Sequence, residues 1–279
     1  MKCLDIFLTK RSIISSMFLM LLFVGAVAQV TEVFDIISTT GSIIDKRTGQ
    51  PLQVGDKVRF DTELEFSSLQ DRAVLLNSDK AKYFLEVPKE NFINSQLTVA
   101  SNQALTAVKG RPAPITGTRG NSVLVTNGLS PKSLKEYFSV DTFTVIGSKF
   151  ILPVTQKDAK KFELVLRYEI GNKVETYISS DLSISKSSLN MQGSYIPECY
   201  VSLRDGDKET PVTQLSLFFV EKDELFREFN SLLKALDINK KQKQNNAVVR
   251  ETLRQYCTDV YGVIDSKVLE SIINDFISL

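Results

Sequence analysis

Two hydrophobic periodicities divide the chain, and the change falls near residue 221. From Val30 to about Val220, apolar residues recur in short runs separated by Gly, Pro, Asn or Asp, which is the pattern of strands and turns. The clearest unit is Lys161–Ser179, where FELVLRYEI and VETYIS flank Gly171-Asn172, a dipeptide suited to a two-residue hairpin because glycine tolerates positive φ. Phe162, Leu164, Leu166 and Tyr168 alternate with Glu163, Val165, Arg167 and Glu169, which predicts one buried face and one mostly wet face. Further strands are expected over Ser42–Asp45, Lys57–Phe60, Ala73–Asn77, Lys82–Val87, Ser122–Thr126, Thr142–Ile146, Phe150–Val154, Ile196–Leu203 and Gln214–Val220.

After Glu221 the spacing changes to three and four. Leu225, Phe229, Leu232, Leu233 and Leu236 form one stripe; Val249, Leu253, Tyr256, Cys257 and Val260 form a second; Val268, Leu269, Ile272, Ile273, Phe276 and Ile277 form a third. Three amphipathic helices are predicted, each packed on its own domain in preference to a partner's groove. Residues 240–246 read as a solvated polar connector between the first two. Gly262, with Asp265 or Ser266, supplies a stop and a new N-cap. The expected class is α+β: β-rich, small barrel- or sandwich-like N-terminal and central parts, followed by a C-terminal three-helix segment. The expected divisions are 29–145, 146–220 with the hairpin at 161–179, and 221–279.

The first residues read as an address. Lys2, Lys10 and Arg11 precede an uncharged run from Ser12 to Thr31, densest at MFLMLLFVGAV, and Ala26-Val27-Ala28 follows before Gln29. Positive region, apolar region and small-residue site stand in the order of a secretory signal peptide, so residues 1–28 are expected to be removed between Ala28 and Gln29. The alternative is an uncleaved anchor, since about 20 uncharged residues just span a bilayer. Export places the protein in the periplasm, at the cell surface or outside the cell. Cys3 would leave with the signal. Cys199 and Cys257 then form an even pair that an oxidising compartment would allow to bridge, the other reading being two buried thiols packed as small hydrophobes.

Composition narrows the chemistry. With 279 residues, 43% of them hydrophobic, the chain has ample material for a folded core. Its 34 Lys plus Arg against 33 Asp plus Glu leave no basic excess to draw it to nucleic acid. There is no histidine, which removes Ser-His-Asp and Cys-His catalysis, His-ligated metals and an imidazole switch. No calcium-loop pattern occurs, Asp205-Gly206-Asp207 being better read as a hairpin turn, so no metal and no cofactor are assigned. Lys109, Arg111 and Arg119 lie in a Pro- and Gly-rich loop that would present cations and backbone N–H groups to an anion. The spacing of Gly110, Gly117 and Gly120 matches neither a P-loop nor a dinucleotide fingerprint, and a surface loop or linker is the plainer reading.

Two S-x-x-K spacings, Ser183 to Lys186 and Ser231 to Lys234, would suit a Ser-Lys hydrolase if they lay on a helix beside a desolvated lysine, but no companion motif accompanies them. Paired carboxylates would suit a glycosidase, and only Glu198, before Cys199, stands in an apolar context.

Residues Gly41 to Leu85 read GSIIDKRTGQPLQVGDKVRFDTELEFSSLQDRAVLLNSDKAKYFL. Gly41 and Ile43, then Leu52-x-x-Gly55-Asp56-x-Val58, Thr62-x-Leu64-x-Phe66 and Ala73-x-Leu75 give a pattern that resembles the small periplasmic β-domain of FecR-like proteins. Gly55-Asp56 suits the turn, and the alternation predicts Leu52, Val58, Leu64 and Phe66 on one buried face. The resemblance implies a periplasmic β-module in a binding or scaffold role, with no catalytic residues to carry over; the cytosolic tail of such sensors has no counterpart in the eleven or so residues ahead of the apolar run. The expected function is that of an exported, non-enzymatic envelope protein that binds an envelope protein or glycan, touching the membrane only if its signal segment is uncleaved. The alternatives are a histidine-free hydrolase acting on envelope polymers and a membrane-tethered assembly subunit.

Overall fold

Strand β1 (Val33–Thr40) is buried on both sides, with Phe34 and Ile36 facing one core and Ile37 the other. A strand of this kind demands cover above and below, and the architecture supplies it. The computed structural model describes residues 32–88, 91, 97–108, 134–135, 137–138, 142–170, 173–191, 193, 195–239 and 246–279. The chain continues through β2 (Ile43–Asp45), β3 (Gln50–Pro51), β4 (Lys57–Arg59), β5 (Glu63–Phe66), β6 (Arg72–Leu76), β7 (Lys82–Glu86), β8 (Thr98–Ala100) and β9 (Leu105–Ala107). These make two antiparallel sheets, ordered β4-β1-β6-β7-β9 and β3-β2-β5-β8.

The two sheets enclose a core of Phe34, Ile36, Leu75 and Leu85 from the first and Ile43, Leu64 and Phe66 from the second. Val58, Leu64 and Phe66 are buried as their alternation requires, while Leu52 is partly buried against the same cluster. The register of β1 on β6 shifts between Ile36 and Ser38. Such a bulge inserts one residue and re-aims the side chains beyond it, so Ile37 and Ser38 are both buried.

A third, mixed sheet follows, ordered β13-β12-β15-β16-β10-β17. Its strands are β10 (Thr142–Ile146), β12 (Glu163–Ile170), β13 (Lys173–Ser179), β15 (Tyr195–Asp205), β16 (Lys208–Val220) and β17 (Val263–Ile264), and β10 runs parallel to both β16 and β17. A two-stranded ribbon of β11 (Lys149–Ile151) and β14 (Ser183–Ser185) lies beside its core. The hairpin forms as expected, from Ile170 opposite Lys173 to Leu164 opposite Ser179, although Gly171-Asn172 itself lies outside the described residues. Leu164, Leu166 and Tyr168 are buried, and Val165 is buried too on the face expected to be wet. Asp205-Gly206-Asp207 is a hairpin turn, with Gly206 at φ 58°.

The predicted helices are α1 (Lys222–Ala235), α2 (Asn246–Tyr261) and α3 (Ser266–Ser278). Their stripes are buried: Leu225, Phe229, Leu232 and Leu233 on α1, Val249, Leu253, Tyr256 and Cys257 on α2, and Ile272, Ile273 and Phe276 on α3. Gly262 at φ 74° ends α2, and Asp265 caps α3 by accepting from the N–H groups of Lys267 and Val268 at 3.0 Å each. The fold is α+β and β-rich with a C-terminal helical segment.

Three differences from the expected plan have physical causes. The helices share one core with Ile37, Val74 and Leu76 of the first sheet and with Phe218 and Val220 of β16, so Val33–Leu279 forms one compact unit. The division at 145/146 cuts through β10, because parallel pairing with β16 draws that strand into the later sheet. The strand expected over Gln214–Val220 starts earlier, at Lys208, and includes Pro211, tolerated where the β15–β16 register shifts between Val201 and Ser202. The strand expected over Ser122–Thr126 lies outside the described residues, as does most of the polar connector. No helix among the described residues is long and apolar enough to cross a membrane.

Phe229 is fully buried and packs edge-on against Phe276 and Tyr256. Phe229→Ala is expected to lower the unfolding free energy by about 3–5 kcal/mol, read from the shift of the urea midpoint at unchanged slope.

Candidate functional site

Inside the stripe of α1, one position breaks the apolar rule. Glu228 lies three residues after Leu225 and four before Leu232, on the face that packs inward, and it is only 4% exposed. A buried carboxylate requires donors, and three elements supply them. Ser38 Oγ of β1 donates to Oε1 at 2.6 Å; Tyr256 and Tyr261 of α2 donate to Oε2 at 3.0 and 2.6 Å. The bulge in β1 makes this possible by turning Ser38 toward the helices.

Loss of hydration dominates the electrostatics. Burial pushes the Glu228 carboxyl up to about 7, Glu224 one turn earlier adds to the rise, and the three hydroxyls hold it down. The same burial, with the nearby carboxylate, raises the Tyr256 and Tyr261 hydroxyls well above their ordinary value. A second polar tie lies on the same helix: Asp259 receives Lys82 Nζ from β7 and, at 2.7 Å, Gln255 Nε2.

Above Glu228 opens a cleft of about 720 Å³. One wall is the end of β1, with Thr39, Thr40 and Gly41, together with the turn at Gln53 and Val54. That turn is held on β1 by Gly55 N–H to Ile36 C=O and Ile36 N–H to Asp56 C=O, both 2.8 Å. The opposite wall is α1, with Glu224, Arg227, Asn230 and Ser231, and the rest is the end of β16 and Tyr261. Gly41 is required at its place: at φ 78°, a Cβ there would meet Asp71 Oδ1 at 1.9 Å. Arg227 and Glu224 are exposed at the rim, and neither side chain makes a hydrogen bond or ion pair with another described residue. The cleft therefore offers a cation, a carboxylate, two amide side chains and hydroxyls on walls set by rigid elements, a constellation able to orient a polar ligand.

The residues singled out in the sequence fall elsewhere. Ala28, Gln29, Lys109, Arg111 and Arg119 lie outside the described residues. Cys199 and Cys257 are free and buried in different core clusters, so no bridge joins them; burial pushes the Cys199 thiol up to about 12 and the Cys257 thiol well above its ordinary value.

Ser183 and Lys186 lie on a strand and the following 3-10 turn, not on one helical face. Ser183 Oγ donates to Asp181 at 2.6 Å, and Lys186 stands 3.7 Å from Glu221. Ser231 and Lys234 share α1, yet Lys234 is exposed and lacks the desolvation a general base of that kind needs. Glu198 is exposed and accepts from Tyr200 and Gln214 side chains. No group of potential metal ligands occurs among the described residues. The sequence signal for Glu228 was a carboxylate inside an apolar stripe; Ser38 and Tyr261 carry no comparable mark.

Raising a carboxyl above its unfolded value favours the folded state at low pH and disfavours it as pH rises. Between about 4.5 and 7 the folded chain holds the Glu228 proton more tightly, so its contribution falls by about 3 kcal/mol across that window. Glu228→Gln is expected to remove this slope, seen as urea midpoints at pH 5 and 7.5 that differ less than in the parent. Cys199 and Cys257 are expected to resist a thiol reagent in the native protein and to react fully in denaturant. No family model, curated protein or solved structure matches the chain.

Proposed function

We propose that this chain is an exported, non-enzymatic module of the bacterial envelope that binds an envelope protein or glycan, with the cleft between β1 and α1 as its contact site. The observation that carries this reading is the rim of the cleft, where the side chains of Arg227 and Glu224, neither paired with another described residue, stand over a buried, fully engaged carboxylate. Rigid walls reduce the ordering cost of binding, and an unpaired guanidinium suits an acidic or hydroxyl-rich group. The pattern in Gly41–Leu85 and the signal-like N-terminus are in keeping with a periplasmic or surface binding role. No nucleic acid is involved, and membrane contact follows only from an uncleaved N-terminal segment.

A second reading rests on a specific feature. Glu224 and Glu228 stand four residues apart on α1 and both line the cleft, one exposed and one buried with a raised pKa. Carboxylates in opposed environments are the arrangement of acid and base in glycan hydrolysis. Against it, both oxygens of Glu228 already accept hydrogen bonds from Ser38, Tyr256 and Tyr261.

The test is capture of partners from the native envelope by the parent chain and by Arg227→Ala, with intact mass recorded on the same samples. A chain beginning at Gln29 that retains a stoichiometric partner, weakened about tenfold or more in Arg227→Ala, is the expected result. Equal capture by both chains would overturn the site. Turnover of an envelope glycan that disappears in Glu224→Gln would replace the binding reading with the hydrolytic one.

A further inference from the structure

A sheet edge exposes unpaired N–H and C=O groups that invite another strand, and short edges are one way to deter it. Among the described residues, the edge strands β3, β4, β8, β9, β11, β14 and β17 each have only two or three residues. The exception is β13, seven residues long, paired with β12 at seven consecutive positions without a register shift. Its other side meets no strand among the described residues. It carries neither proline nor bulge, and its one lysine, Lys173, stands at its first position. The side chains it turns to solvent are Val174, 68% exposed, Thr176, and Ile178, 44% exposed. The register Thr176–Arg167–Tyr200 places Tyr200, 48% exposed, on the same face two strands in.

We propose that β13 pairs antiparallel with β13 of a second copy about a two-fold axis at Thr176, joining two six-stranded sheets into one. The strand is complementary to itself in this register. Val174 faces Ile178 of the second copy and Ile178 faces its Val174, two β-branched pairs of the kind that stabilise antiparallel ladders. Lys173 falls opposite Ser179 and Glu175 opposite Tyr177, so no like charges are directly opposed.

The hydrogen-bond alternation agrees. A two-residue connection makes Ile170 and Lys173 a hydrogen-bonded pair, so every second residue of β13 from there bonds inward to β12. Val174, Thr176 and Ile178 then point their backbone groups outward. The axis at Thr176 brings all three into hydrogen-bonded pairs, the most that any register of this strand allows. An isologous contact of this kind closes at two copies and leaves no further edge strand of comparable length among the described residues. The surface lies on the third sheet and is independent of the cleft and its ligand.

Sedimentation velocity of the purified full chain up to about 100 μM, a range that detects associations as weak as those of small interfaces, tests the pairing. The expected result is a concentration-dependent dimer. Ile178→Lys places a charge against Val174 of the second copy, and Thr176→Pro removes an outward N–H while leaving the β12 ladder intact; each should raise the dimer dissociation constant at least about tenfold, with circular dichroism and unfolding midpoint unchanged. A chain that stays monomeric throughout, or a dimer that Ile178→Lys leaves unaltered, would overturn the proposal.

Discussion

The constraint on which the structure depends is the two-sided burial of β1. Phe34 and Ile36 close the core between the first two sheets, and Ile37, displaced by the bulge, enters the core of the helices. A sheet exposed on one side would leave Ile37, Val74 and Leu76 in water at about 25 cal/mol for each Å² of apolar surface. The helices therefore cover the β part, and the β part covers the helices, whose stripes would otherwise have only one another to pack on. The single compact unit follows from this mutual requirement.

Glu228 is the polar counterpart of that apolar contact. A carboxylate in a hydrophobic core costs free energy in itself, and replacing a buried polar network by hydrocarbon is often neutral for stability. What the network adds is position. Its donors come from β1 and α2 while the acceptor is on α1, so all three hydrogen bonds form only when the bulge, the helix and the end of α2 are in register. The same arrangement sets the floor and two walls of the cleft. The rim side chains of Arg227 and Glu224 make no hydrogen bond or ion pair with another described residue, the structural contacts of α1 here lying beneath them.

The ion pairs elsewhere are of smaller consequence. Lys149 with Asp181 and Lys222 with Asp275 are largely exposed and worth little in water. Asp181 is nevertheless held well below the usual carboxylate range by Lys149 and the hydroxyls of Ser179 and Ser183, which fixes the turn from β13 into β14. Lys82 with Asp259 is the more buried pair and fastens β7 to α2.

Local pattern alone determined the elements with strong periodicity: the β12–β13 hairpin, strand β10, and the three helices with their buried stripes, caps and the Gly262 stop. Each is specified by neighbours a few residues away, through alternation, 3.6-residue spacing or the φ of a glycine. The β-rich α+β class followed from the same signals. Only the tertiary structure decided which sheet β10 joins, because parallel pairing with β16 links residues some 74 positions apart and leaves no local mark. It also decided that two cysteines in one chain occupy separate cores, a matter of distance that spacing in sequence does not encode. The candidate site was not read from the sequence, which pointed to Glu198 as the acid in an apolar context. Glu228 lies within the apolar stripe of α1, a mark that went unused, and Ser38 is 190 residues away from it, so that their hydrogen bond exists only once the core has formed around both ends.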